Sequence, residues 1–187
     1  MKITEVITVE RSPDAVWELF QDVPELALCM PGAELTEDRG DGTYAGKVSV
    51  KLGPLTATFE GEARVSSDHA DRTGTVDGTG VDRRGGSRGQ VKVAYAIERS
   101  DGGARVTVDA DVTLSGAAAQ FGRTGLIKEM SSRLIDQFVH CIEAKLGATT
   151  EAEAAQVKAP EVRGVSLFLA SLFAQVGRFF KRVFGRR

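Results

Sequence analysis

The chain has 187 residues, 42% hydrophobic and 27% charged, which suits one globular domain with an appendage and is enough to bury a real core. The net charge of −2 is unevenly spread: residues 161–187 carry six Lys/Arg and one acid, a net of +5, which leaves −7 on residues 1–160. An acidic body argues against nucleic acid as its partner, and a basic tail argues for an anionic surface.

Residues 2–10 alternate, with Ile3, Val6, Ile7 and Val9 among Lys2, Thr4, Glu5 and Thr8. This predicts a strand with one slip of register. Ser12-Pro13 is an N-cap followed by proline at the first helical position, so Ala15, Val16, Leu19 and Phe20 read as a short helix to about Asp22. A second short helix is expected from Pro24 to Cys29, stopped by Pro31-Gly32.

Six strands are predicted next, at 33–38, 43–52, 55–66, 72–82, 88–98 and 104–115. Hairpin compositions such as Gly53-Pro54, Gly85-Gly86 and Asp101-Gly102-Gly103 separate them. There is no βαβ rhythm, so the fold class is α+β, an antiparallel sheet with helices to one side. One strand face carries Tyr44, Gly46, Val48 and Val50, then Phe59, Gly61 and Ala63, then Val76, Gly78 and Gly80. It continues with Val91, Val93, Tyr95 and Ile97, then Val106, Val108, Ala110, Val112 and Leu114. The other face is charged, as expected of a sheet wet on one side. Two readings of the inward glycines stand. They line an apolar cavity under a curved sheet, or they only bend the sheet around a packed core.

A single long amphipathic helix is predicted over Ala117–Leu146, with Leu126, Ile127, Met130, Leu134, Ile135, Phe138 and Ile142 on one stripe. Its roughly 30 residues would span about 45 Å. After Gly147, residues 148–160 are rich in Ala, Thr and Glu, and read as a short helix or a flexible tether. The composition then changes. Phe168, Leu172, Phe173, Phe179, Phe180 and Phe184 recur at helical spacing, with Arg178, Lys181 and Arg182 beside them. The weakly polar stretch Gly164–Gly177 falls short of the roughly 20 residues that span a bilayer. The tail reads as a helix lying in the membrane interface, with docking on a partner protein or on its own body as the alternatives.

Signals for chemistry are weak. Cys29 and Cys141 are too few and too far apart for a disulfide framework, and read as buried free thiols. With an N-terminus that opens on a strand rather than a signal peptide, they suggest a reducing cytoplasm. His69 lies in an Asp-rich turn and is expected to be solvated. His140 follows Asp136 by four residues, a surface pair. Trp17 reads as core. Asp22, Glu25 and Tyr44 are polar groups available to a pocket, but no metal-ligand spacing or nucleophile elbow is present. Arg83, Arg84 and Arg88 lie in a Gly-rich hairpin, either solvated or meeting phosphate or an acidic partner.

Several short matches carry a family resemblance. They are Met30-Pro31-Gly32-Ala33, Tyr44-Ala45-Gly46-Lys47-Val48, Gly53-Pro54, Phe59-Glu60-Gly61, Ala119-Gln120-Phe121-Gly122-Arg123 and Gln137-Phe138. Over residues 1–146 the chain resembles the carbon monoxide dehydrogenase G-subunit family, within the START/Bet v1-like (SRPBCC) superfamily. The resemblance implies a helix-grip fold, with a curved antiparallel sheet of about seven strands around a long C-terminal helix. It also implies a cytoplasmic accessory protein, peripheral on the cell membrane, for a molybdenum-containing CO dehydrogenase or a related hydroxylase. It brings no catalytic residues.

The expected organisation is a ligand-binding domain over 1–146, a linker over 147–160 and an amphipathic membrane-associating helix over 161–187. The expected function is non-enzymatic, with no metal and no covalent cofactor. The carried ligand is an isoprenoid quinone such as menaquinone, held in an apolar cavity and delivered between the respiratory chain and the dehydrogenase. Candidate cavity residues are Phe20, Leu26, Met30, Tyr44, Val48 and Val50, with Phe59, Tyr95, Val108 and Leu114 from the later strands. Phe121, Met130, Leu134 and Phe138 complete the set. The runner-up is a membrane-recruitment adaptor that transports nothing, and the third reading is an enzyme on a related fold.

Overall fold

A computed structural model describes the backbone of residues 1–52, 55–123, 126–148 and 151–159, and their side chains except at 52, 55, 121–132, 151 and 152. The tail residues predicted to bind membrane lie outside the described residues.

Seven strands form one antiparallel sheet in the order β1-β7-β6-β5-β4-β3-β2. They are β1 (Lys2–Val9), β2 (Ala33–Asp38), β3 (Thr43–Leu52), β4 (Leu55–Asp68), β5 (Thr73–Asp82), β6 (Ser87–Ser100) and β7 (Gly103–Ser115). Strands β2 to β7 form a meander, because each is joined to the next by a connection of two to four residues that contains Gly or Asp. Helices α1 (Pro13–Gln21) and α2 (Val23–Cys29) interrupt it between β1 and β2, which lets β1 return to the far edge beside β7. The α1 start is as its residues dictate: Ser12 Oγ accepts the Ala15 N–H at 3.2 Å, with Pro13 in the first turn. Asp22 repeats the device for α2, accepting the Glu25 N–H at 3.1 Å.

β1 runs without the expected slip. Ile3, Ile7 and Val9 take the inner face, which turns Glu5 inward and leaves Val6 57% exposed outside. Three apolar residues in register outweigh one, because a slip would reverse every side chain beyond it.

The long helix is also shorter than expected. Residues Gly116–Arg123 form a 3-10 helix, and α3 covers Leu126–Gly147, about 33 Å. Gly116 turns the chain at φ +72°, and Ala118 is fully buried with its N–H donated to Ser87 Oγ at 3.0 Å. Small residues thus lay this stretch flat on β6 and β7, where a continued α-helix would lift away from them.

The core lies at one end of the sheet, where α1, α2 and the C-terminal half of α3 converge. Val9, Val16, Trp17, Phe20, Ile97, Ala104, Val106 and Ile142 are buried there. Cys29 and Cys141 are not free thiols. They form a disulfide that joins α2 to α3, with Cα atoms 5.3 Å apart across 112 residues of sequence. Their separation along the chain concealed that α2 and α3 pack side by side, and the cysteine part of the case for a reducing compartment falls away.

The segment after α3 returns to the body. Helix α4 covers Glu151–Gln156, the short-helix alternative. Val157 packs on the core, and the Ala159 N–H bonds the Leu28 carbonyl at 2.9 Å. Lys145, its side chain 3% exposed, joins three helices: Nζ lies 2.6 Å from Glu25 Oε2 and 3.1 Å from the Ala154 carbonyl. The last described residue, Ala159, thus lies beside the C-terminal end of α2.

Candidate functional site: the inner face of the sheet

Strand registers arrange the inward residues in rows across the sheet. Nearest the core, Glu5, Val108, Tyr95 and Gly74 share a row. The next holds Ile3, Ala110, Val93, Val76 and Val65, and the one after it Val112, Val91, Gly78, Ala63 and Tyr44. Then come Leu114, Gly89, Gly80, Gly61 and Gly46, and last Phe59 and Val48.

Burial changes along this ladder. On β6, Ile97 and Tyr95 are buried while Val93, Val91 and Gly89 are only half-buried. On β7, Ala104 and Val106 are buried while Val108, Ala110, Val112 and Leu114 are half-buried. Tyr44, Val50 and Phe59 are likewise half-buried, and Val48 is 40% exposed. An apolar strip thus extends about 20 Å along β7 from Val108 to Leu114 without being closed. Partly exposed apolar surface of this extent is what makes the strip the candidate site.

The glycine row explains the shape. Gly46, Gly61, Gly80 and Gly89 are consecutive cross-strand partners, a row about 14 Å wide without side chains of its own, with the Phe59 side chain lying along Gly80 and Gly89. At Gly61 a Cβ would lie 1.9 Å from the Thr79 carbonyl oxygen, so the sheet bends there as no other residue would permit. At Gly89 a Cβ would meet only Leu114 and Phe59 side-chain atoms at 3.5 Å, ordinary contact. There glycine leaves space rather than relieving a clash.

The candidate residues divide by position. Phe20, 5% exposed, and Tyr95, 8% exposed, sit in the packed core, with their ring centroids 5.2 Å apart and Phe138 6.3 Å from Phe20. Leu26, Val108 and Phe138 pack against that core from its edge. Tyr44, Val48, Val50, Phe59 and Leu114 line the open part of the sheet. Met30, 46% exposed, stands beside Val48, since the Ser49 N–H bonds the Gly32 carbonyl. Leu134 is half-buried on α3, and the side chains of Phe121 and Met130 lie outside the described residues.

Polar groups on this face are few. Burial, helped by the negative charges of Asp38 and Asp22, pushes the Tyr44 phenol above its ordinary range and keeps it a donor. Glu5 is a half-buried carboxylate among Ile3, Ile7 and Val108, concealed in the sequence by the apparent slip in its strand. Asp22 caps α2 and reaches this site through its charge on Tyr44, whereas Glu25 pairs with Lys145. His69 is exposed, yet it accepts the Trp17 indole N–H at Nδ1, 3.2 Å away. His140 Nδ1 lies 2.7 Å from the Asp136 backbone carbonyl rather than its carboxylate. Among the described residues no cluster of His, Cys, Asp or Glu is placed to hold a metal, and no helix is long and apolar enough to cross a membrane.

Two further depressions, of about 520 and 570 Å³, lie on the outer face, one around Thr75, Ala94, Ala96 and Thr107, the other around Arg39, Glu60, Glu62 and Thr79. Both are open and carry no convergent chemistry, and neither lies on the apolar face.

Solved structures share this architecture. A conserved protein from Geobacillus kaustophilus matches with a TM-score of 0.66 at 15% identity, over 78% of this chain and 95% of that one. Protein Ms6760 from Mycobacterium smegmatis matches with a TM-score of 0.55 at 17% identity, over 80% and 92%. The Zhui aromatase/cyclase from Streptomyces sp. R1128 matches with a TM-score of 0.53 at 15% identity, over 78% and 93%. At such identities these likenesses establish the fold, an α+β helix-grip of the Bet v1-like kind, and nothing about chemistry. No curated protein matches the chain significantly. The family model for the carbon monoxide dehydrogenase G-subunit (CoxG) matches residues 6–147, and the chain belongs to that family.

Proposed function

We propose that this protein is a non-enzymatic, lipid-binding accessory protein that carries an isoprenoid quinone such as menaquinone on the inner face of its sheet. It serves a molybdenum CO dehydrogenase or related hydroxylase, whose electrons must reach a quinone in the bilayer. The observation that carries this reading is the half-open apolar strip running from Val108 to Leu114 and across to Val48. Each buried CH₂ of a ligand gains roughly 0.8 kcal/mol there, so several isoprene units offset the loss of lipid contacts. The Tyr44 hydroxyl donates to a quinone carbonyl, and the chain lies along the glycine row. The basic, phenylalanine-rich tail holds the protein at the membrane surface.

The test is lipid extraction and mass spectrometry of protein purified from its native membrane, followed by titration with quinone in detergent. A stoichiometric quinone is expected. Its repeated absence, with no uptake on addition, overturns the carrier and leaves an adaptor that only brings the dehydrogenase to the membrane.

A further inference from the structure

The end of the sheet remote from the core has an unusual surface. The hairpin between β5 and β6 projects Arg83 and Arg84 from its tip, and Arg88 follows on the first turn of β6; all three are exposed. Among the described residues none of them makes an ion pair. Lys51, near the end of β3, is a further exposed cation at this end. The nearby anions are weak opposition. The Asp82 carboxylate is turned into the hairpin, where it accepts the Arg84 and Gly85 N–H groups at 3.1 and 3.0 Å, and the residue is 4% exposed. Glu60 is exposed on the outer face beside Val81. An otherwise acidic body therefore presents cations here.

The same end is apolar. Of the large hydrophobic side chains that are exposed, Met30, Val48 and Val81 all lie at it, at 46%, 40% and 40%. Val81 is the cross-strand partner of Arg88. Val48 lies two strands across on the inner face, opposite to Val81 and Arg88, so the exposed apolar side chains stand on both faces of this end. The inward residues farthest from the core, Leu114, Phe59 and Val48, also lie at this end.

Arginines interleaved with exposed apolar side chains suit a surface that is anionic and then hydrocarbon with depth. A protein acid patch offers the first property without the second. We propose that this end of the sheet docks on anionic phospholipid bilayers and sets the mouth of the inner face against the lipid. This contact is made by the body and is separate from the tail. It deepens the carrier reading, because a ligand then passes from lipid to the strip without crossing water, but its test needs no quinone.

The probe is a vesicle of phosphatidylcholine with 30% phosphatidylglycerol, compared with phosphatidylcholine alone, using the full chain in flotation assays. Wild type is expected to prefer the anionic vesicles. The variant Arg83→Gln/Arg84→Gln/Arg88→Gln is expected to bind them about 100-fold more weakly at low salt, roughly fivefold per arginine. The difference should fade as salt screens the charges. A triple Lys variant should bind as wild type does. In a separate Val81→Trp variant, the introduced indole should shift its emission to the blue on anionic vesicles and be quenched by brominated lipid. Every altered side chain is exposed, so circular dichroism and thermal unfolding should match wild type. All variants keep the tail, so differences report the body alone. Unchanged vesicle binding by the Gln variant overturns the proposal. So does an indole that stays in water while charge removal weakens binding, an outcome that leaves the arginines as a long-range attraction to the anionic surface with no docked face.

Discussion

Filling the inner face at Gly89 separates ligand binding from folding. A Cβ there meets Leu114 Cδ2 and Phe59 Cδ1 at 3.5 Å, and both neighbours are half-buried with room to rotate. Valine suits a strand, and glycine in a strand interior costs about 0.5–1 kcal/mol, so Gly89→Val should hold or slightly raise stability. Its three added carbons occupy space that a bound chain would fill. At roughly 0.8 kcal/mol per CH₂, the ligand loses about 2.4 kcal/mol, or about 50-fold in Kd. The assay is quinone titration in detergent by calorimetry, with thermal unfolding run in parallel. An affinity within threefold of wild type, in a variant that folds normally, refutes the placement of the ligand on this row. Gly61→Ala is the opposing control. Its Cβ would overlap the Thr79 carbonyl, and it should destabilise the sheet by about 1–3 kcal/mol.

Three further outcomes are expected. Reduction of Cys29–Cys141, or Cys29→Ala/Cys141→Ala, should cost about 4 kcal/mol in denaturant unfolding, since the bridge closes a loop of over a hundred residues; two titratable thiols in unreduced, denatured protein would contradict the bridge. Glu25→Gln should lower the unfolding free energy in urea by about 2 kcal/mol more than Lys145→Met does, because it strands a buried ammonium. That figure is reduced from the full buried-pair value because the Glu25 side chain is 38% exposed. A Lys145→Met variant as damaged as Glu25→Gln would contradict it. Burial raises the Tyr95 phenol above its ordinary value of 10.0, only partly offset by the nearby Gln21 amide. The unfolded phenol then loses its proton first, so this contribution is whole below pH 10 and is lost as pH rises beyond it. Tyr95→Phe should flatten the alkaline fall in unfolding temperature, with the remainder coming from Tyr44, raised in the same sense.

What the chain determined by itself is what local chemistry controls. Period-two alternation set the seven strands and the inner face of all but β1, where Glu5 and Val6 concealed the true register. Ser12-Pro13 set the start of α1, and the Gly-containing turns set the meander. Short motifs such as Phe59-Glu60-Gly61 were enough to indicate the family. Tertiary structure decided what depends on residues far apart. The Cys29–Cys141 bridge, the junction at Lys145 and the hold of Trp17 on His69 each join positions that no local pattern relates. Register aligned Gly46, Gly61, Gly80 and Gly89 into one row, and packing on β6 and β7 replaced the start of the long helix with a 3-10 turn. The difference between the buried and the open half of the inner face also belongs to this level. Both halves have the same alternating residues, and the convergence of α1, α2 and the end of α3 over one of them makes it core while the other stays half-buried.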